Sequence, residues 1–122
     1  MKIFTGNSHR ALGEKICKYL SAEPGKIAFS RFSCGELYAK VGESIRGHDV
    51  FIIQTCSTYS LNDDLMELFI ILDAMKRASA ASINVIMPYY GYARQDKKSA
   101  PREPISARLV ADLLQTCGID RI

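Results

Sequence analysis

The sequence predicts an α/β fold: a mainly parallel sheet flanked by helices. Two runs, Val50 to Ile53 and Ile83 to Met87, are too short for helices and rich in β-branched residues, as strands buried on both faces require. Between and after them come longer stretches with apolar residues at helical spacing. Strands that alternate with helices in this way build a parallel sheet with crossover connections.

Each element can be justified in chain order. Ile3 to Thr5 is a short strand candidate, and Gly6-Asn7-Ser8 follows it. Asn7 or Ser8 can cap a helix whose apolar face is Leu12, Ile16 and Leu20, and Pro24-Gly25 ends that unit. Ile27 to Phe32 alternates in part and predicts a second strand. Leu37 to Val41 predicts a short strand or hairpin arm, punctuated by Gly35 and Gly42. After Val50 to Ile53, Ser60 and Asn62 are cap candidates for a helix that carries Leu65, Phe69, Leu72 and Met75 on one stripe to about Ala80. Pro88 stops the strand Ile83 to Met87. A last helix starts near Ser106, is expected to bury Leu109, Val110, Leu113, Leu114 and Cys117, and stops at Gly118. Asp120 to Ile122 reads as the opening of another strand, which suggests a piece of a longer protein.

Composition narrows the function classes. A length of 122 residues fits one domain. The longest apolar run is Leu68 to Leu72, so no membrane span is expected. The first residues, Met1 to Asn7, contain no apolar stretch of signal-peptide length. Cys17, Cys34, Cys56 and Cys117 form no Cys-x-x-Cys pair, which argues against a zinc or redox motif and suits reduced thiols in a cytoplasmic protein. The net charge of +3 is too mild to imply nucleic acid, and a small anion is the better expectation.

Ligands of open α/β sheets bind beyond the carboxyl ends of the strands. Three segments fall there: Thr5 to Ser8, Thr55 to Asp64, and Pro88 to Pro104. The third lacks apolar periodicity and carries Arg94, Lys97, Lys98 and Arg102 against Asp96 and Glu103. Arginine forks and mobile lysines suit a polyphosphate. Phe32 to Glu36 is a second candidate, since an aromatic face can stack on a base and a carboxylate can accept from an amine or hydroxyl. From the residues alone, however, Phe32 reads as core and Glu36 as a surface charge. Gly6 with Gly13-Glu14-Lys15 is too widely spaced for a phosphate loop, and His9 and His48 are too far apart in sequence for a metal pair. Asp63, Asp64 and Glu67 are explained by a helix N-terminus rather than by a catalytic carboxylate cluster.

The run Pro88-Tyr89-Tyr90-Gly91-Tyr92-Ala93-Arg94-Gln95-Asp96-Lys97-Lys98, followed by Pro104-Ile105-Ser106-Ala107-Arg108-Leu109-Val110, resembles ribose-phosphate pyrophosphokinase. Phe4 to His9, Phe32 to Glu36, Gly42 to Gly47 and Asn62 to Leu68 support the resemblance along the whole chain. It implies an N-terminal domain of type I phosphoribosyltransferase-like fold, the N-terminal half of a two-domain subunit. The family transfers pyrophosphate from ATP to ribose 5-phosphate, requires Mg2+, and forms homo-oligomers. By position the resemblance implies ATP contacts at Arg94 and Gln95, with Asp96, Lys97 and Lys98 shaping the loop. Phe32, Cys34 and Glu36 fall where the family offers an adenine platform to a neighbouring subunit. Ser44, Arg46, Ser79 and Arg102 fall near regions that bind a regulatory anion. Cys34 departs from the family's usual Asp or Asn, and a thiol is a weak hydrogen-bonding partner. The Mg2+ ligands and the ribose 5-phosphate loop are expected beyond Ile122, so this chain alone is expected to be inactive. A non-catalytic regulatory or assembly relative, binding anions and a full-length synthetase, is the alternative.

Overall fold

The computed structural model describes residues 1–57 and 59–122. Its elements are β1 (Lys2–Thr5), a 3-10 turn (Asn7–His9), α1 (Arg10–Tyr19), β2 (Ile27–Arg31), β3 (Leu37–Val41), β4 (Asp49–Ile53), α2 (Leu61–Arg77), β5 (Ser82–Ile86) and α3 (Ser106–Thr116). The sheet runs β1-β4-β5 and all its pairs are parallel, with Lys2 opposite Val50 and Asp49 opposite Ser82. β2 and β3 form a separate antiparallel hairpin, Ile27 opposite Val41. At the far edge Arg121 bridges to Asn84 in parallel, and Val85 N–H donates to the Arg121 carbonyl at 2.9 Å. The expected strand opening at Asp120 to Ile122 therefore lies beside β5.

Alternation along the strands divides the core into two faces. Phe4, Val50, Ile52, Ile83 and Val85 join Leu68, Ile71, Leu72 and Met75 of α2 and Val110 and Leu114 of α3. Ile3 and Ile53 point the other way, onto Cys17, Leu12 and Ile16 of α1. Among the described residues no helix is long and apolar enough to cross a membrane.

Three local expectations need correction. The cap of α1 is His9, whose Nδ1 accepts from Leu12 N–H at 3.2 Å, because Asn7 and Ser8 are engaged elsewhere. Leu109 and Leu113 are not buried; they are 55% and 42% exposed. The helix turns by about 100° per residue, so the stripe that seats Val110 and Leu114 rotates their preceding neighbours outward. Phe32 is not core either. β2 ends at Arg31, which leaves Phe32 in the hairpin turn, 55% exposed and edge-on to Tyr38.

Candidate functional site

The loops after β1 and β4 are tied together by side chains at the start of α2. Glu67 is buried and accepts three bonds, from Asn7 N–H and Asn7 Nδ2, each at 2.8 Å, and from Gln54 Nε2 at 3.1 Å. Gln54, also buried, accepts from Ser8 Oγ at 2.7 Å, while Ser8 Oγ accepts from Thr55 N–H at 3.0 Å. Gly6 is required here, since a Cβ would lie 2.0 Å from Gln54 Oε1. Asp64 accepts from Ser57 N–H at 2.7 Å and from Ser60 Oγ at 3.2 Å. Ser60 occupies the cap position of α2 without a capping bond from its side chain, and Asp64 orders that turn instead. Helix-end electrostatics alone thus understated these acids: Asp64 and Glu67 hold loops, and exposed Asp63 pairs with Arg31 at 2.8 Å. Sequence reasoning missed Gln54; the available signal was a polar residue directly after an unbroken apolar strand.

The segment after β5 is built differently. Tyr92 takes a left-handed backbone, φ 66°, and its hydroxyl donates to Asn62 Oδ1 at 2.6 Å, which fastens the loop to the first turn of α2. Gly91 packs over Cys56, where a Cβ would come within 2.9 Å of Sγ. Tyr90 OH donates to the Ala107 carbonyl at 2.9 Å, and Glu103 accepts from Ser99 N–H and Ala100 N–H, each at 2.8 Å. Burial pushes the Tyr90 hydroxyl up, as it does the Cys17, Cys56 and Cys117 thiols. Against this fixed frame Arg94, Asp96, Lys97, Lys98 and Arg102 are all exposed. None of them forms an ion pair with a described residue. Gln95 is anchored through its backbone and side chain to the start of α3.

Phe32, Cys34 and Glu36 come together on the β2–β3 turn, closed by Phe32 N–H to the Glu36 carbonyl at 2.9 Å and by Gly35 at φ +95°. Arg31 spans the turn, donating to the Gly35 carbonyl at 2.9 Å and to Asp63. Hairpin and basic loop thus attach to adjacent residues of α2, Asp63 and Asn62, yet no hydrogen bond or ion pair joins Phe32, Cys34 or Glu36 to Arg94 among the described residues.

The anion group divides. Ser44 and Arg46 precede β4 and Ser79 precedes β5, and the two segments are joined by Gly47 N–H to the Ser79 carbonyl at 3.0 Å. Arg102 follows β5, at the opposite end of the sheet. The five residues of β5 put about 16 Å between those ends.

Among the described residues no group of three His, Cys, Asp or Glu could hold a metal, and the oxygens of Asp64 and Glu67 are taken by N–H and O–H donors.

Comparison with known proteins agrees with this geometry. A family model described as the N-terminal domain of ribose phosphate pyrophosphokinase matches residues 1–118. Ribose-phosphate pyrophosphokinases of Wolinella succinogenes and Fusobacterium nucleatum are 55% and 53% identical over 122 residues; 99% and 100% of this chain is covered. The crystal structure of phosphoribosylpyrophosphate synthetase from Mycobacterium smegmatis superposes with a TM-score of 0.95 at 47% identity, covering 99% of this chain and 40% of that one. The chain spans only 38% to 39% of the curated relatives' length. Fold, loop sequence and relatives agree that this chain belongs to the ribose phosphate pyrophosphokinase N-terminal domain family.

Proposed function

We propose that the chain is the ATP-binding N-terminal domain of a ribose-phosphate diphosphokinase. The complete subunit would transfer the β,γ-pyrophosphate of ATP to the anomeric hydroxyl of ribose 5-phosphate, releasing AMP. One observation carries the reading: Arg94, Lys97 and Lys98 stand exposed and unpaired among the described residues, on a braced loop beyond the carboxyl end of a parallel sheet. Arg94 would grip phosphate oxygens with its planar fork, and Gln95 would hydrogen-bond the nucleotide. Lys97 and Lys98 would add charge, with Asp96 restraining the loop. Positioning and charge neutralisation dominate phosphoryl-type transfer.

The platform of Phe32, Cys34 and Glu36 on the β2–β3 turn would serve the nucleotide of a neighbouring subunit, as the resemblance implies. A regulatory anion site uniting Ser44, Arg46 and Ser79 with an Arg102 would take that arginine from a second copy. Magnesium, required by the resemblance, would draw its ligands from outside these 122 residues. No step is therefore assigned through it.

The test is direct. Purified chain, given ATP, ribose 5-phosphate and magnesium, should form no AMP. In the complete subunit Arg94→Ala should lower activity by roughly two to three orders of magnitude, the scale of losing a charge-stabilising group. Wild-type rates in that variant would overturn the loop assignment, and turnover by the chain alone would overturn its dependence on further residues. The exposed thiol of Cys34, a weak partner for a base, favours a second reading as a non-catalytic assembly relative. Recovery of an active full-length synthetase with this chain in a pull-down would favour that reading.

A further inference from the structure

We infer that Ser106 is a positioning residue that holds the side-chain amide of Gln95 in place before the nucleotide arrives; this rests on the nucleotide reading of the loop. Gln95 N–H donates to the Tyr92 carbonyl at 2.9 Å, and the Gln95 carbonyl accepts from Ala107 N–H at 3.1 Å. The backbone of Gln95 is therefore held between the Tyr92 turn and the first turn of α3. Its side chain reaches the same helix end, where Ser106 Oγ donates to Gln95 Oε1 at 2.6 Å. Tyr90 OH braces that turn through the Ala107 carbonyl at 2.9 Å.

A glutamine amide is an acceptor at one end and a double donor at the other, and a free one offers either. Ser106 takes one lone pair of the acceptor end. Nε2 donates to no described residue, and the preceding residue, Arg94, is exposed and forms no ion pair with a described residue. Donors from both residues suit phosphate oxygens or other acceptors of a nucleotide. Holding the amide in advance also removes rotamer freedom before binding rather than during it.

The side-chain amide of Gln95 is directly observable by NMR in the 122-residue chain. Its NH2 group should be ordered in wild type, mobile in Ser106→Ala, and ordered again in Ser106→Thr. In the complete subunit ATP should bind about three- to tenfold more weakly to Ser106→Ala, the scale of one neutral hydrogen bond. In a Gln95→Ala background, Ser106→Ala should cause no further loss. An amide equally ordered without the hydroxyl overturns the positioning role, as does an equal affinity loss in the Gln95→Ala background. If the order depends on Ser106 but the complete subunit binds ATP equally well in wild type, Ser106→Ala and Gln95→Ala, the nucleotide reading of this glutamine fails and the positioning stands.

Discussion

Two regions at the carboxyl end of one sheet treat polar groups in opposite ways. Around Glu67, the carboxylates of Glu67 and Asp64 and the amide of Gln54 are buried and bonded onto neighbouring loops. In the segment after β5 the backbone is fastened by Tyr90, Tyr92 and Glu103, while Arg94, Lys97 and Lys98 are left facing solvent. The same residue types therefore mean different things: a buried polar group without a vacancy is architecture, and an exposed unpaired charge on a fixed frame is capacity for a ligand. The difference makes a quantitative claim. Changes in the first region should cost stability, and changes in the second should cost binding.

Glu67→Ala tests the first half most severely. It would remove the acceptor of the Asn7 N–H, the Asn7 amide and one Gln54 amide N–H, while Gln54 keeps its bond to the Asp64 carbonyl. Losing one buried hub and leaving its donors unpaired costs about 2–4 kcal/mol. For a domain of this size the melting temperature should fall by roughly 10 °C. Chemical denaturation with and without the substitution measures it. A loss below about 1 kcal/mol would mean that water replaces the carboxylate and that the network is not what joins the two loops.

How far this contrast is legible in the sequence follows from its physics. Strand runs such as Val50 to Ile53 announce themselves because both faces are buried, and the helical stripe from Leu65 to Met75 does so through its period. The segment after β5 was legible as a loop because its charges carry no apolar spacing, and among the described residues no helix or strand lies between β5 and α3. The Glu67 network was not, because its partners Asn7 and Gln54 lie 60 and 13 residues away in sequence, and no local pattern encodes such contacts. Phe32 misled for a related reason: an aromatic side chain carries the same residue-level signal in a core and on an exposed turn. The outward turn of Leu109 and Leu113 was hidden too, since four leucine and valine positions in one helix do not say which pair meets the sheet.

An intermediate case sharpens the comparison. Glu43 accepts from Lys2 Nζ and, at 2.7 Å, from Lys26 N–H, and the pair is neither buried nor free, with side chains 28% and 23% exposed. The bond from Lys2 first, and then that from Lys26 N–H, hold its carboxyl below the ordinary glutamate range. A depressed folded-state value contributes stability that is fully present above the unfolded value of about 4.3, and it is lost as pH falls through the lower, folded one. Glu43→Gln should therefore cost at most about 1 kcal/mol near neutrality, and the difference from wild type should shrink below about pH 4. Urea midpoints across pH 3 to 7 would show it. A penalty that persists at the acid end would assign the loss to packing rather than to charge.

The smallest effect is the most discriminating. Replacing Arg94, Lys97 and Lys98 together with alanine removes three exposed cations that make no ion pair with a described residue. Surface changes away from such partners move stability by no more than about 0.5 kcal/mol. Here the direction should be slightly upward, because the segment holds four cations against two anions and their mutual repulsion is relieved. The denaturation midpoint should stay put while any affinity for a polyphosphate disappears. A fall of 1 kcal/mol or more would show that these charges hold the fold as Glu67 does, and the distinction between the two regions would no longer separate structure from function.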